Sequence, residues 1–190
     1  MKINFRILQS EDIESYRQVR LACLKNHPDQ FGTTYEEEAN TNPLKFETIL
    51  STNNSHDFMF GAFDDKMLIG ICGFIQQTRI KTSHLGEIVQ MYVDPSYAGK
   101  GIGSQILKLA VDKAFENKKI DQVLLSVVYS NEKAVSTYKK LGFAEYGKLE
   151  NYFKQGGGSW SQLFMALRRN KKHKIRNKKV QSLKIESLSL

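Results

Sequence analysis

The sequence VDPSYAGKGIGSQIL, at residues 93–107, joins an apolar segment to an amphipathic one through three glycines at alternate positions, Gly99, Gly101 and Gly103. Glycine weakens regular structure but adopts backbone conformations that other residues avoid, so the cluster indicates a sharp turn or a close approach to a ligand. Open amides at residues 99–104 and the N-terminus of the following helix are suited to binding an anion such as a pyrophosphate. Lys100 either adds positive charge to this site or is simply solvated.

Two common nucleotide-binding loops are excluded by the order of the residues. A P-loop requires Gly-Lys followed by Ser or Thr, whereas Lys100 precedes Gly101 here. A Rossmann fingerprint requires a further glycine where this chain has Ile106, and an acidic residue about 20 positions later. Asp121 lies at that distance but begins a predicted strand. A flexible turn that binds nothing is the alternative for the glycine cluster taken alone.

The segments on either side of the loop predict a mixed α/β (α+β) domain. Runs rich in β-branched and aromatic residues predict strands at residues 3–8, 58–63, 67–76, 84–93, 121–128, 143–150 and 161–167. Apolar residues at helical spacing predict helices that start at Ser10 and Pro43 and helices at residues 35–39, 102–114 and 131–141. The hairpin at residues 58–76 is antiparallel, whereas a strand–helix–strand unit follows the loop, so the sheet is expected to be mixed.

Positive charge is concentrated at the C-terminus of the 190-residue chain, whose formal net charge is +8. Residues 168–190 hold nine Lys or Arg and one acidic residue, and the rest of the chain holds 19 of each sign. We therefore predict one domain at residues 1–169, followed by a flexible basic tail at residues 170–190. The neutral body gives no reason to expect a nucleic-acid partner, although the tail allows an acidic partner, RNA or anionic lipid.

The remaining composition is typical of a reduced cytoplasmic protein. No apolar run approaches the roughly 18 residues of a membrane span, and the first residues lack the apolar core of a signal peptide. Cys23 and Cys72 match no metal-binding or redox spacing. We expect neither a membrane partner nor a metal, and the sequence leaves a monomer and a homodimer equally open.

Two stretches together resemble the GCN5-related N-acetyltransferase (GNAT) superfamily. The loop resembles its Arg/Gln-x-x-Gly-x-Gly/Ala signature, and YSNEKAVSTYKKLGF, at residues 129–143, resembles its Asn-x-x-Ala-x-x-x-Tyr-x-x-x-Gly-Phe segment. The order of predicted elements also matches the family fold. Ala98 departs from the pattern, because it stands where the family usually has Arg or Gln. We expect somewhat weaker cofactor binding from this change, since the backbone amides of the loop are unaffected.

The resemblance implies that acetyl-coenzyme A binds where two central parallel strands splay apart. The pantetheine arm of the cofactor would pair with the strand before the loop, which implies backbone contacts from Met91 and Val93. The resemblance assigns the phosphates to the loop residues Ala98, Gly99, Lys100, Gly101, Gly103 and Ser104. Asn131 is implied to contact the pantetheine, although capping of the following helix explains it equally well.

The resemblance also implies direct transfer of the acetyl group from the thioester to an amine. Glu87 would deprotonate the amine through a water, and Tyr138 would protonate the leaving thiolate. By the two-residue period of a strand, Glu87 shares a face with Val89, Met91 and Val93. The alternatives are a rim charge for Glu87, with His84 as the base, and core packing for Tyr138.

The acceptor is expected to lie near residues 26–38. Phe31 and Tyr35 would form aromatic walls, and the acidic residues 36–38 would attract a cationic amine such as a polyamine, an aminoglycoside or lysine; a solvated helix start is the alternative. The sequence thus predicts an acetyl-CoA-dependent N-acetyltransferase that acts on a small-molecule or protein amine. A catalytically silent acyl-CoA-binding or sensing module is the competing hypothesis, which Ala98 favours.

Overall fold

The computed structural model describes residues 2–52 and 56–169. Its strands are β1 (Ile3–Ile7), β2 (Phe58–Asp64), β3 (Met67–Gln76), β4 (Leu85–Val93), β5 (Gln122–Val128), β6 (Ala144–Gln155) and β7 (Gly158–Arg168). Its α-helices are α1 (Ile13–Asn26), α2 (Tyr35–Ala39), α3 (Lys45–Thr52), α4 (Ile102–Glu116) and α5 (Glu132–Leu141). The strands form one sheet in the order β1-β2-β3-β4-β5-β7-β6. The predicted mixed α/β fold is therefore confirmed.

Two boundaries differ from the prediction for local reasons. The first helix does not start at Ser10, because residues 10–12 form a 3-10 turn in which the Asp12 carboxylate accepts the N–H of Gln9 at 2.8 Å and pairs with Arg6. The last two strands are longer than predicted, because Gly156 and Gly157, with φ of 54° and 79°, form a tight turn between them. Such positive φ values suit a two-residue hairpin loop.

The sheet is antiparallel except at its centre, where two neighbouring strands run parallel. β1 to β4 pair antiparallel, β4 and β5 pair parallel, and β5, β7 and β6 again pair antiparallel. The parallel pairing joins Leu85–Glu87 only to Gln122–Leu124. Beyond these three residue pairs β4 and β5 separate, which produces the splay that the resemblance implied.

Each face of the sheet carries its own hydrophobic core. On one side, here called the α4 face, buried residues of α4 and α5 such as Ile106 and Tyr138 pack on Phe74 and Ile88 of the sheet. On the other, here called the α1 face, α1 and α3 pack on Met59, Ile71 and Tyr92, among other residues. The glycine loop therefore lies at one end of a sheet that is covered on both sides.

A bulge in β4 exchanges the faces of its two halves. β3 pairs Ile71 with Tyr92 and Gly73 with Val89, so β4 uses one residue more than β3 between these pairs, and Gln90 has a φ of 52°. As a result Val89 packs on the core of the α1 face, whereas Met91 and Val93 pack on the core of the α4 face. The prediction that Glu87 shares one face with Val89, Met91 and Val93 therefore holds for Val89 and is wrong for Met91 and Val93, because it assumed an unbroken two-residue period.

The predictions about the cysteines, membrane spans and the C-terminal tail can be compared with the structure only where it describes the chain. Cys23 and Cys72 are buried and form no disulfide within residues 2–52 and 56–169. Within the same ranges, no helix is both long and apolar enough to cross a membrane.

The side chain of Arg169 anchors the end of β7, because its guanidinium donates to the carbonyls of Phe115 and Ile120. The predicted tail at residues 170–190 lies outside the described residues.

Candidate active site

The separation of β4 and β5 leaves a cavity of about 620 Å³. The two strands, α1 with the loop that follows it, α5 and the β6–β7 hairpin contribute its walls. Lining residues come from both faces of the sheet: Met91 and Tyr138 from the α4 face, and Val89 and Phe31 from the α1 face. Side chains from both faces of the sheet therefore reach the same cavity, which suits a transfer between two bound molecules.

The three glycines of the loop serve two different purposes. Gly99 and Gly101 have φ of 77° and 74°, and a Cβ on either would meet no heavy atom within 4 Å, so backbone conformation explains them. Gly103 lies in the first turn of α4, where a Cβ would be 3.4 Å from Cε of Met91 and 3.8 Å from Cγ2 of Val93. Because these are ordinary contacts, packing against β4 does not require glycine at Gly103, and what its small size leaves is space in the cavity wall that Gly103 lines.

The loop presents amides at a helix N-terminus. The amide of Gln105 makes an intrahelical hydrogen bond of 3.0 Å to the carbonyl of Gly101, so the amides of residues 102–104, including Gly103 and Ser104, precede the first such bond. The amide of Ala98 is already donated to the Pro95 carbonyl at 3.0 Å. The Lys100 ammonium lies 4.7 Å from the ring centroid of Tyr97, beside the loop. The open space at two glycines and the helix N-terminus fit the pyrophosphate of coenzyme A.

Asn131 caps α5 and also lines the cavity. Its Oδ1 accepts the amide N–H of Ala134 at 3.1 Å, so it caps α5. It also lines the cavity, together with Ala134 and Tyr138 of the same helix. The cap fixes the first turn of α5 against the cleft, and with it the wall that Tyr138 provides one turn later.

Tyr138 is both a core residue and a cavity residue. It is buried in the core of the α4 face, and its ring meets that of Phe143 edge-on at 6.1 Å. Burial, together with the nearby Cys72 thiol, raises the pKa of the Tyr138 phenol. The phenol therefore keeps its proton at neutral pH.

Glu87 lies at the narrow end of the cleft, where β4 and β5 still pair. Its partner on β3 is Ile75, which packs on the core of the α1 face, so Glu87 belongs to that face. Burial raises the pKa of the half-buried Glu87 carboxyl, and the ammonium of Lys45 partly offsets this effect. A carboxylate with a raised pKa is a better proton acceptor than an ordinary exposed one.

Only some residues of the predicted acceptor region, at residues 26–38, line the cavity. Phe31 lines it, but the described lining does not include Tyr35, which packs on the core of the α1 face. Glu38 is engaged by Arg20 at 2.5 and 2.8 Å, and Glu37 accepts the N–H of Thr34 at 2.8 Å. Both carboxylates are therefore already hydrogen-bonded within the protein, Glu38 to Arg20 and Glu37 to the backbone at Thr34.

His84 does not line this cavity in the described part of the chain. It borders a separate groove, where Leu85, Tyr146 and Ala166 also contribute. The described cavity therefore contains Glu87, and not His84, as the candidate base.

Several cavity residues were not found by reasoning from the sequence. They include Arg20, Gln90, Tyr152, Phe153 and Gln162, whereas Gln30 falls within the predicted acceptor segment at residues 26–38. A signal existed for two of them, because Arg20 interrupts the apolar face of α1 and Gln90 interrupts an apolar strand. The others come from the β6–β7 hairpin, far from the glycines in sequence, so only the tertiary structure brings them to the cleft.

Comparison with known proteins shows which family the chain belongs to. The acetyltransferase (GNAT) family model matches residues 20–143. Acetyltransferase PseH of Campylobacter jejuni is 30% identical over 156 residues, which cover 79% of this chain and 88% of that protein. Spermidine N(1)-acetyltransferase of Escherichia coli is 26% identical over 156 residues, 80% of this chain and 77% of that protein. N-alpha-acetyltransferase 30 of Dictyostelium discoideum is 33% identical over 104 residues, but the match spans only 55% of either protein.

Solved structures show the same fold. An acetyltransferase from Salmonella typhimurium, solved with its cofactor acetyl-CoA, superposes with a TM-score of 0.75 over 90% of this chain and 96% of that one, at 14% identity. A GNAT-family acetyltransferase from Streptococcus pneumoniae gives a TM-score of 0.74 over 89% of this chain and 100% of that one, at 19% identity. Because the family match covers more than half of the sequence, the chain belongs to the acetyltransferase (GNAT) family and is an acetyl-CoA-dependent N-acetyltransferase.

Proposed function

We propose that the protein transfers an acetyl group directly to a primary amine, with Glu87 as the base and Tyr138 as the acid. The observation that carries this proposal is the position of the two side chains on opposite faces of the sheet, lining one cavity. The thioester of acetyl-CoA supplies the activated acetyl group. We assign this activity to residues 1–169 and propose a small-molecule or protein amine as the acceptor.

Glu87 prepares the amine. An alkylammonium must lose a proton before it becomes a nucleophile, and the Glu87 carboxylate on the α1 face takes that proton through a water. Burial disfavours the charged form of this carboxyl, which brings its pKa closer to neutral pH and makes the carboxylate more basic. The Lys45 ammonium favours the charged form and limits this rise of the Glu87 pKa.

Tyr138 completes the reaction on the α4 face. The thiolate that leaves is a weak base in water, with a pKa near 8.5, and takes a proton readily when it is removed from solvent. The Tyr138 hydroxyl is the protonated group that α5 holds in the cavity wall. Because its pKa is raised by burial, the phenol arrives at this step with its proton in place.

The bound molecules are positioned by backbone rather than by charged side chains. The helix N-terminus at residues 101–104 holds the pyrophosphate, and Met91 and Val93 present the free edge of β4 to the pantetheine. The support for this assignment is the splay, since β5 withdraws from β4 after Glu87. Asn131 acts as the cap that fixes α5 and as a polar group in the wall.

The experiment that tests the proposal follows the release of the coenzyme A thiol with a panel of amines and peptides. Once an acceptor is found, Tyr138→Phe and Glu87→Gln are each expected to lower kcat by about 100-fold or more. The matched controls, Tyr35→Phe and Glu36→Gln, change the same groups outside the described cavity lining and should retain wild-type rates. Full turnover by both cavity variants would refute the assigned roles.

A further inference from the structure

An unpaired polar group reaches the cavity from β7. The Gln162 side chain lines the cavity although the residue is only 5% exposed. Its Oε1 has no hydrogen-bond partner among the described residues. A buried carboxamide oxygen without a donor is unfavourable, because it has lost its hydrogen bonds to water and forms none within the protein. A ligand that brings an N–H or O–H donor to this oxygen removes that disadvantage.

Strand register places Gln162 on the acceptor side of the sheet. The next residue along β7, Leu163, packs in the core of the α4 face, so Gln162 points to the α1 face. Glu87 lies on the same face, whereas Met91, Gly103 and Tyr138 lie on the other side. The unpaired oxygen therefore shares its side of the cleft with the proposed base and not with the proposed acid.

A second unpaired oxygen belongs to another lining residue of the cavity. Oε1 of Gln30, in the loop after α1, is also buried without a partner among the described residues, while its Nε2 donates to Asp29 at 3.0 Å. The loop is packed directly on the β6–β7 hairpin, since a Cβ on Gly32 would lie 2.8 Å from Cζ of Phe153. Two lining residues of the cavity thus each carry a neutral hydrogen-bond acceptor that is unpaired among the described residues.

The charges of the cavity lining do not suit a polycation. Its charged lining residues in the described chain are Arg20, Lys133 and Glu87, and Glu38 neutralises Arg20. One cation, Lys133, and one carboxylate, Glu87, therefore remain, so the described lining offers a single negative charge to an amine. A linear polyamine would bring further positive charges to a wall that offers them only neutral oxygens.

We propose that the acceptor is a monoamine that carries neutral N–H or O–H donors beside the reacting nitrogen, and that Gln162 selects it by accepting a hydrogen bond from one of them. This inference rests on the acetyl transfer proposed above. An N-terminal peptide, whose second backbone amide is the donor, and an amino sugar, whose hydroxyls are donors, share this chemistry. Gln162 is a specificity-determining residue, and Gln30 accepts a second donor.

The test compares matched acceptors by the rate of coenzyme A release. Alanyl-alaninamide is compared with its analogue methylated at the peptide nitrogen, glucosamine with cyclohexylamine, and both pairs with spermidine. In the wild-type protein, kcat/KM should be roughly tenfold higher for the donor-bearing member of at least one pair, which identifies the source of the donor. Spermidine should be the poorer acceptor. Equal rates within both pairs, or a preference for spermidine, would overturn the inference.

The variant Gln162→Met removes the oxygen and preserves the size of the side chain. It should lower kcat/KM for the preferred donor-bearing acceptor roughly tenfold, leave the rate with its donor-free partner unchanged, and leave the KM for acetyl-CoA unchanged. Gln105→Met, on the exposed side of α4, is the matched control. An equal loss for both members of a pair would show a merely structural role, and a changed KM for acetyl-CoA alone would place Gln162 against the cosubstrate.

A binding readout separates this inference from the proposed reaction. Without acetyl-CoA, the preferred donor-bearing acceptor should raise the Tm of the wild-type protein and raise it less in Gln162→Met, since a ligand of the folded state stabilises it. Acceptor binding that depends on Gln162, together with no turnover of any amine, would refute the proposed reaction and support the inference. Turnover that does not depend on Gln162 would support the proposed reaction and refute the inference about Gln162.

Discussion

Gly103→Ala should change the stability of the fold and the binding of acetyl-CoA in opposite directions. Gly103 has helical backbone in the first turn of α4, so alanine is compatible with its conformation. Replacing glycine by alanine in a helix stabilises it by up to about 1 kcal/mol, and rather less in a first turn. The added Cβ would lie 3.4 Å from Cε of Met91, an ordinary contact that costs little.

The same methyl group enters the cavity wall. Gly103 lines the cleft beside Met91 and Val93, where we place the pantetheine. A methyl group added to a filled site commonly costs about 1–3 kcal/mol, which corresponds to a loss of affinity of about tenfold or more. We therefore expect a Tm that is unchanged or higher by about 2 °C, together with a KM for acetyl-CoA that is about tenfold higher.

The assay combines thermal unfolding of the free protein with the KM for acetyl-CoA and with the Tm shift that acetyl-CoA causes. Gln105→Ala is the matched control, because it raises helix propensity in the same helix on an exposed position and adds nothing to the cavity. A clearly lower Tm for Gly103→Ala would refute the packing argument. An unchanged affinity for acetyl-CoA would show that Gly103 does not border the cofactor.

Three further changes test other parts of the site. Lys45→Met should move the acidic limb of the pH–rate profile to higher pH, because Lys45 lowers the raised pKa of Glu87, which must be ionised to act as base; an unmoved limb would exclude this base. Arg20→Met should destabilise the fold by about 3 kcal/mol in urea unfolding, because it leaves the buried Glu38 without a partner, and wild-type stability would contradict this. Asn131→Ala should cost about 1 kcal/mol of stability whereas Asn131→Asp, which retains a cap, should not.

The parts of the fold that local chemistry determines were predictable from the sequence. The glycine loop, the hairpin of β2 and β3 and the helix cap at Asn131 depend on neighbouring residues, so their patterns can be read in order along the chain. The length of the β6–β7 hairpin was not predictable in the same way. Most residues of β6 are exposed, including Tyr146, Leu149 and Tyr152, so no alternation of buried and exposed positions marks the strand, and pairing with β7 holds it.

The site depends on contacts that no local pattern reveals. Phe31 was found because it follows α1 closely, but Tyr35, four residues later, turns to the core of the α1 face. The pairing of Glu38 could not be read from the acidic segment itself, because its partner Arg20 lies eighteen positions away. Gln162 was missed for the same reason, since only the pairing of β5 with β7 brings it to the cleft.

The bulge at Gln90 is the feature that makes the proposed chemistry possible. In an unbroken strand Glu87 would share a face with Met91 and Val93, and the base would lie on the side where we place the pantetheine. The bulge reverses this, although a φ of 52° at a residue with a side chain costs roughly 1–2 kcal/mol. The buried hydroxyl of Tyr16 in α1 donates to Oε1 of Gln90 at 2.9 Å and helps to offset that cost. The helix that covers the acceptor side therefore also fixes the turn that separates the proposed base from the proposed acid.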